Sequence, residues 1–308
     1  MLHPDGAFAG EIRLPDGASR YFVRSTYDIN TAGAALVARD KGLTKFFLRR
    51  KGFPIIDGMT FFSDRLCEEI GSSRNSRAAR QYAESLGYPV MVKVNSGSGG
   101  EGVERAVNET DLCETLARFF ALDNIVLVES YLGGLRDYRV LVLDGEVLVA
   151  YERRPLTLVG DGTSTVGELV AAFRSTAAAR GTGVPLPDRV ERSLERIGVN
   201  DADILPRGEL LTPMEVANLA QGGSAVEVTQ GLHPRIARLA VDAAQELSLR
   251  YAGVDILSDD ATGDPSLAYI LELNGSPTIH QFAMLCAPEE HLLLRVHEKL
   301  IDAMARMA

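Results

Sequence analysis

Apolar side chains recur with the period of an α-helix in several stretches of the chain. Residues 235–249 give the clearest case, because one face of the predicted helix is apolar throughout. That face carries Ile236, Leu239, Ala240, Ala243, Ala244 and Leu247. Similar patterns predict helices over residues 34–48 and 289–307, and another over residues 111–120 with Thr110 as its N-cap.

Short apolar runs bounded by glycine, proline or asparagine predict β-strands. They lie at residues 21–23, 90–94, 103–107, 125–128, 253–257 and 267–274. Two more runs, residues 138–143 and 147–151, flank Asp144 and Gly145, a dipeptide that favours the positive φ angles of a tight hairpin turn. Helices and strands interleave along the chain, which predicts an α/β or α+β architecture.

Residues 174–230 show only weak periodicity and contain several glycines and prolines. Ordered connections of this length are uncommon unless they serve a function. The segment is therefore predicted to form a long, functional loop that contains short helices.

Composition and charge narrow the class of protein. The 308 residues are 46% hydrophobic and 24% charged, as in an ordinary globular protein. A net charge of -10 argues against a nonspecific nucleic-acid or anionic-membrane binder, because both need a basic face. No apolar run approaches the roughly 20 residues of a membrane span, and no signal peptide is recognisable. Three scattered cysteines favour a reducing, cytoplasmic compartment.

A glycine-rich loop at residues 95–102 follows the predicted strand that carries Lys93. Such a loop lets backbone N–H groups approach phosphate oxygens. Gly97, Gly99 and Gly102 also match a dinucleotide-binding pattern, but that pattern requires a helix to begin at its last glycine, where a strand is predicted here. A flexible hairpin tip is the structural alternative.

Basic side chains supply candidate phosphate ligands. Lys93 lies within an apolar strand, so its ammonium group must find an anion or reach solvent. Lys41 and Lys45 lie on a predicted helix, where a solvated surface position is the alternative for Lys41. Arg139 shares a strand face with apolar residues and must meet a carboxylate or a phosphate, so an internal ion pair remains equally open.

Oxygen-bearing side chains cluster near the carboxyl end of the sequence. Glu272 and Asn274 are two residues apart on a predicted strand and therefore share one face. Asp255 ends another predicted strand. Two carboxylates and an amide oxygen are suitable ligands for Mg²⁺, which also binds phosphate oxygens and water. The three residues together predict a magnesium site.

These residues, in this order, resemble the ATP-grasp ligases, most closely the ATP-grasp core of the cyanophycin synthetases and also the glutathione synthetases. The similarity covers roughly residues 35 to 285. It rests on residues 40–45, 88–93, 97–102, 137–142, 159–164, 217–219, 222–223, 252–255 and 272–274. The resemblance implies an α+β ATP-grasp fold, in which two α/β lobes clasp ATP between antiparallel sheets.

The resemblance also implies an order of domains. A short N-terminal region at residues 1–36 would precede an N-lobe at residues 37–128 that includes the glycine-rich lid. A C-lobe at residues 129–308 would contain a substrate-facing insertion at about residues 174–230. The large N-terminal and Mur-ligase-like domains of cyanophycin synthetases are not recognised, so a small amino-acid or peptide ligase is expected rather than a polymerising enzyme.

Site roles follow from the same resemblance. Lys41 and Lys93 would contact the ATP phosphates, with Lys93 and Arg139 serving catalysis. The lid would contain Ser96, Gly97, Gly99, Gly100 and Gly102, and the adenosine would bind at Glu129, Tyr131 and Leu132. Magnesium would be held by Asp255, Glu272 and Asn274. Substrate would meet Arg153, Arg154, Asn218, Gly222 and Gly223.

The expected function is an ADP-forming ligase that uses ATP and Mg²⁺. It would activate a carboxylate as an acyl phosphate and join it to an amine, with amino acids or a small peptide as substrates. A small-molecule phosphotransferase and a non-catalytic nucleotide-binding subunit are the alternatives. No nucleic-acid or membrane partner is expected, and a homodimer is predicted.

Overall fold

The computed structural model of the chain describes residues 1–3, 8–14, 16–97, 102–180, 187–214, 216–285 and 290–307. Its strands are β1 Ala9–Arg13, β2 Ser19–Val23, β3 Thr26–Tyr27, β4 Gly58–Phe62, β5 Val90–Val94, β6 Val103–Ala106, β7 Ile125–Ser130, β8 Arg136–Leu143, β9 Glu146–Arg154, β10 Leu158–Val159, β11 Leu210–Leu211, β12 Ser224–Glu227, β13 Tyr251–Ser258 and β14 Ala268–Asn274. Its helices are α1 Ala32–Arg39, α2 Lys41–Arg50, α3 Asp64–Ile70, α4 Ser76–Leu86, α5 Glu109–Phe120, α6 Val166–Arg180, α7 Pro187–Arg196, α8 Pro234–Glu246, α9 His280–Leu285 and α10 Glu290–Ala305.

The chain divides into two compact units, each built from more than one segment. The first comprises Met1–Ala150, Val228–Thr278 and Arg295–Ala308, and the second comprises Tyr151–Glu227 and Ile279–Leu294. The sequence-based division into lobes stays a prediction.

One antiparallel sheet of the first unit has the strand order β4-β7-β5-β6. Its inner face carries Val90, Val92 and Val94, which pack against alanines of α4 and apolar residues of α5. Because side chains alternate along a strand, Lys93 of β5 and Glu129 of β7 lie on the opposite face. Two polar side chains of the candidate site therefore share a sheet face.

A second sheet of the first unit contains β8, β13 and β14, with the first half of β9 beside β8. The apolar face of α8 covers it, which confirms the helix predicted at residues 235–249. Buried alanines at positions 240, 243 and 244 let the helix approach Val140 and Val254 closely. The α+β prediction is confirmed.

The second unit has its own small core, formed around α6 and α7 and including Leu156, Val166 and Leu194. The second half of β9 pairs antiparallel with β12 there. The segment predicted as a long loop, residues 174–230, is more regular than expected, because α7 and the last seven residues of α6 fall within it. Alanine supplies much of α6, and its apolar residues are not confined to one stripe, so the helical period is weak.

Several helix boundaries differ from the prediction. The helix predicted over residues 34–48 is two helices, because Asp40 adopts an extended conformation between α1 and α2. Its carboxylate caps α2 by accepting a hydrogen bond from Leu43 N at 2.8 Å. Asn108, not Thr110, caps α5 and accepts from Asp111 N at 2.9 Å. The sequence reasoning also missed β4, α3 and α4.

The predicted hairpin is confirmed, and its turn provides a test of backbone conformation. Asp144 and Gly145 have φ angles of 48° and 84°. We expect Gly145→Ala to lower the free energy of unfolding by about 1–2 kcal/mol, because alanine disfavours the left-handed region. Gly33→Ala in α1, where an added Cβ meets nothing within 4 Å, should instead stabilise by about 0.5–1 kcal/mol. Urea unfolding of both variants would contradict this account if Gly145→Ala were as stable as Gly33→Ala.

Among the described residues, no helix is both long and apolar enough to cross a membrane.

Candidate functional site

A buried carboxylate between two lysines forms the first part of the site. Glu129 of β7 is 0% exposed. Its Oε2 lies 2.8 Å from Lys45 Nζ of α2, and its Oε1 contacts Lys93 Nζ of β5. Gly58 of β4 pairs with Glu129 and makes room for it, since a Cβ at position 58 would lie 2.6 Å from the Glu129 Cβ. Lys93 thus has the anion that its apolar strand required.

The pKa values of this cluster reflect burial and charge pairing. Burial lowers the pKa of Lys45, and the neighbouring Glu129 carboxylate only partly opposes that effect. Burial alone would raise the pKa of Glu129, but the ammonium groups of Lys45 and Lys93 outweigh it and hold the pKa below its usual value. Glu129 is therefore ionised near neutral pH, and it stabilises two buried cations.

Lys41 connects the glycine-rich loop to the carboxylates of the second sheet. Its Nζ donates hydrogen bonds to Gly97 O at 2.6 Å and to Asn95 O at 3.4 Å. The same atom lies 3.8 Å from Glu272 Oε2 of β14. Lys41 is 8% exposed, so the solvated surface position considered from the sequence is wrong.

The start of α2 is held against the same loop. Asn95 is buried, and its Oδ1 accepts a hydrogen bond from Gly42 N at 3.0 Å. Lys41 and Lys45 lie one turn apart on the buried face of α2. The i, i+4 spacing of the two lysines is the sequence signal that places Lys45, only a secondary candidate from the sequence, on the same helix face as Lys41, whereas nothing local to the sequence singles out Asn95.

One of the predicted magnesium ligands, Asp255, forms an ion pair with Arg139. Strand register places Asp255 of β13 opposite both Arg139 of β8 and Glu272 of β14. Arg139 binds both oxygens of Asp255: Nε contacts Oδ1, and Nη2 lies 2.7 Å from Oδ2. Glu272 Oε1 is 3.9 Å from Arg139 Nη2 and accepts a hydrogen bond from Asn274 Nδ2 at 3.3 Å. The internal ion pair left open for Arg139 is present.

The chemistry of these side chains suits magnesium. Asp255, Glu272 and Asn274 bring two carboxylates and an amide to adjoining positions of β13 and β14. No group of three or more histidine, cysteine, aspartate or glutamate side chains able to hold a metal occurs in the described part of the chain. Mg²⁺ commonly binds one or two protein carboxylates and takes its other ligands from phosphate and water, so this donor set fits it.

The other residues predicted to bind the nucleotide lie in the glycine-rich loop and after β7. Ser96 donates from N and Oγ to Asp123 Oδ2, at 3.1 and 2.6 Å. Gly102 has a φ of 67°, which favours glycine. Tyr131, beside Leu132 after β7, has Arg105 over its ring at 5.2 Å. Gly99 and Gly100 lie outside the described residues.

The predicted substrate residues come together within the second unit. Arg153 and Arg154 of β9 pair with Ala225 and Ser224 of β12. The turn before β12 holds the other three residues, Asn218, Gly222 and Gly223. A Cβ at position 223 would lie 2.7 Å from Arg154 O and 2.8 Å from Asn218 O, so this close approach requires glycine. Arg154 also forms an ion pair with Glu152, at 2.9 Å.

Two family profiles match the stretches of sequence that carry the lysine cluster around Glu129 and the carboxylates of the second sheet. The profile described as D-ala D-ala ligase C-terminus matches residues 47–159, which include Lys93, Glu129 and Arg139. The RimK-like ATP-grasp domain profile matches residues 215–291, which include Asp255 and Glu272. The chain has an ATP-grasp fold. Its four-stranded and five-stranded sheets are antiparallel, as the sequence resemblance predicted.

The curated proteins that resemble this chain are longer than it is. It is 29% identical over 305 residues to cyanophycin synthetase of Geminocystis herdmanii, covering 94% of this chain and 33% of that protein. It is 29% identical to the glutathione biosynthesis bifunctional protein GshAB of Streptococcus mutans, covering 80% of this chain and 33% of that protein. The chain thus spans about a third of the length of these curated relatives.

Solved structures support the fold. The D-alanine–D-alanine ligase of Bacillus anthracis is 18% identical with a TM-score of 0.55, covering 90% of this chain and 69% of that one. The bifunctional glutathione synthetase of Pasteurella multocida is 22% identical with a TM-score of 0.53, covering 92% and 40%. The ATP-grasp prediction is confirmed at the level of fold.

Proposed function

We propose that this ATP-grasp protein is an ADP-forming carboxylate–amine ligase. A carboxylate oxygen of the acid attacks the γ-phosphorus of ATP, and ADP leaves. The amine nitrogen then attacks the acyl phosphate carbon, phosphate leaves, and the amine loses a proton as the amide forms. The position of Lys41 carries the proposal, because one ammonium group reaches both the glycine-rich loop and Glu272.

The residues that bind ATP in this proposal belong to the first unit. Lys41 and Lys93 bind the phosphates, and the residues from Ser96 to Gly102, including Gly97, Gly99 and Gly100, cover them. In this proposal the adenosine binds along Glu129, Tyr131 and Leu132. The Glu129 carboxylate is already engaged by two lysines, so the adenine edge would meet backbone N–H and C=O groups here.

Asp255, Glu272 and Asn274 would hold Mg²⁺, which neutralises negative charge on the phosphates when bound. Arg139 would steady the transferring phosphoryl group. Phosphoryl transfer depends mainly on positioning and charge neutralisation, so it needs no protein nucleophile. The side chains gathered here, three lysines, an arginine and three carboxylates, suit that requirement.

The acid and amine substrates are assigned to amino acids or small peptides. The matched D-ala D-ala ligase profile and the glutathione-related and cyanophycin-related relatives support this substrate class. Arg153 and Arg154, beside Asn218, Gly222 and Gly223, would recognise the substrate carboxylates, because a guanidinium group binds a carboxylate through two parallel hydrogen bonds.

We also propose that the protein acts in the cytoplasm as a homodimer. Light scattering during gel filtration would measure its mass directly. A monomer at micromolar concentration would contradict the dimer without affecting the ligase proposal.

An ADP-release screen tests the proposed activity. Amino acids and dipeptides are supplied singly and in pairs with ATP and Mg²⁺, and products are identified by mass. We expect ADP release to require two substrates together and to yield a condensed product. A phosphorylated product from one substrate would indicate a phosphotransferase instead, and nucleotide binding without ADP release from any mixture would indicate a non-catalytic subunit.

Glu272→Gln is the matched inactive variant for that screen. It removes one carboxylate charge from the proposed metal site while keeping the size of the side chain. We expect ADP release to fall about 10²-fold or more, since electrostatic groups at a reacting phosphate contribute on that scale. Activity equal to that of the unmodified protein would mean that the metal assignment is wrong.

A further inference from the structure

We infer that Arg139 closes the magnesium site to free metal, so that the metal enters only together with ATP. The inference rests on the proposed function and concerns how the same site is regulated. Arg139 binds both carboxylate oxygens of Asp255, which is the more deeply buried of the two proposed metal-binding carboxylates.

The contact between Arg139 and Asp255 has the geometry of a strong ion pair. The guanidinium group presents two parallel donors to the two oxygens, and the side chains of Arg139 and Asp255 are 12% and 1% exposed. Charge-assisted, bidentate pairs of this kind are among the strongest hydrogen-bonded contacts in proteins. A metal ion that approached Asp255 would have to displace at least one of these hydrogen bonds.

Among the described residues, the four side chains that form these contacts carry charges that cancel. Asp255 and Glu272 contribute two negative charges, while Arg139 and Lys41 contribute two positive charges within 4.0 Å of these carboxylates. Two further charges on Mg²⁺ would leave the site strongly positive. Little solvent is present to screen them, because three of the four side chains are at least 88% buried.

ATP removes this obstacle because its phosphates bring negative charge with the metal. They also offer Arg139 and Lys41 new acceptors, so that release of Arg139 from Asp255 and its binding to phosphate become one exchange of partners. Arg139 thereby couples metal binding to nucleotide binding.

Gly253 makes room for this arrangement. It lies two residues before Asp255, on the same face of β13. A Cβ at position 253 would lie 3.2 Å from Arg139 Cδ and 2.8 Å from Pro277 Cβ. The Arg139 side chain therefore passes directly over the glycine on its way to Asp255. A larger side chain at this position would displace the guanidinium group or the segment around Pro277.

Binding of Mn²⁺ in the absence of nucleotide tests the inference. The electron paramagnetic resonance signal of free Mn²⁺ measures the unbound fraction directly, without any turnover. We expect weak binding to the unmodified protein. Arg139→Gln should bind Mn²⁺ at least about tenfold more tightly, because it removes a positive charge within about 4 Å of both carboxylates.

Further variants separate charge from packing. Lys41→Gln should shift Mn²⁺ affinity in the same direction, so the inference stays testable if Arg139→Gln does not fold. Asp255→Asn should weaken Mn²⁺ binding in every background. Arg65→Gln, which breaks an exposed ion pair with Glu69, should leave Mn²⁺ affinity unchanged.

The outcomes distinguish the inference from the proposed function. If a non-hydrolysable ATP analogue restores tight Mn²⁺ binding to the unmodified protein, and Arg139→Gln binds Mn²⁺ tightly without the analogue, the inference is supported. If the analogue promotes binding but neither Arg139→Gln nor Lys41→Gln gains affinity without it, the inference is wrong and the ligase proposal stands. If Mn²⁺ and the analogue fail to bind even together, the proposed function itself is wrong.

Discussion

Replacement of Glu129 by glutamine is expected to lower the free energy of unfolding by about 3–5 kcal/mol, which is the scale for breaking a buried ion pair. The carboxylate is fully buried, and so are Lys45 and Lys93, at 4% and 6% exposure. Glutamine has the same size but no charge, so two ammonium groups would remain close together without a counter-ion. Urea unfolding at neutral pH measures the effect.

Glu69→Gln is the matched control for this substitution. Glu69 forms an ion pair with Arg65 at 3.1 Å on the surface of α3, where both side chains are more than half exposed. Solvent screens such pairs, so the control should lose less than about 1 kcal/mol. If the two variants were equally stable, the Glu129 carboxylate would contribute nothing to folding and the buried cluster would be wrongly assigned.

The stability difference between the unmodified protein and Glu129→Gln should depend on pH in a defined direction. Two lysines hold the pKa of Glu129 below its usual value against the opposing effect of burial. A carboxylate with a lowered pKa stabilises the folded state fully above the ordinary glutamate range. That contribution is lost as the pH falls through the lowered pKa. The difference should therefore be constant near neutral pH and shrink under acid conditions.

Lys93→Met is expected to reduce ADP formation about 10²–10³-fold while changing the free energy of unfolding by only about 1 kcal/mol. Methionine occupies the space of the lysine stem. Lys45 remains 2.8 Å from Glu129, so the buried carboxylate keeps a counter-ion and the fold survives. The charge lost is the one proposed to bind a phosphate, so the effect should fall on catalysis.

Lys51→Met supplies the control for Lys93→Met. Lys51 pairs with Glu246 at 2.8 Å, but its side chain is 58% exposed and it has no place in the proposed site. Its activity should equal that of the unmodified protein. Both variants would be compared by ADP release and urea unfolding. Full activity in Lys93→Met would contradict the assignment of Lys93 to phosphate binding. Unfolding of that variant under native conditions would contradict the claim that Lys45 alone is a sufficient counter-ion for Glu129.

The sequence indicated which charged side chains need an ion-pair partner, but it did not indicate which residues are those partners. Lys93 on an apolar strand and Arg139 on an apolar face both required an anion, and both have one. The anion for Lys93 is Glu129, which becomes its neighbour only because β7 lies beside β5 in the sheet. Arg139 meets Asp255, 116 residues away, through the register of β8 and β13. Such pairings depend on strand order, and no local pattern encodes strand order.

Helices rich in small or polar residues were the least predictable elements. The buried face of α4 is made by Ala79 and Ala83, among arginine and serine residues, so no stripe of large apolar side chains marks this helix in the sequence. The break between α1 and α2 depends on Asp40, whose preference for capping overrides an otherwise continuous helical pattern. Long elements with a regular apolar period, such as α8 and the hairpin of β8 and β9, were predicted correctly because burial of their apolar faces dominates.

The spacing of Lys41 and Lys45 on α2 limits how this region can change in length. Four residues of helix place the Cα atoms of the two lysines about 6 Å apart along the axis and on one side. An insertion or deletion of one residue between them would rotate one lysine by about 100° and separate Lys45 from Glu129 or Lys41 from Glu272. We expect natural variation in length to be absent between these two lysines and to be tolerated beyond Arg50, where α2 ends.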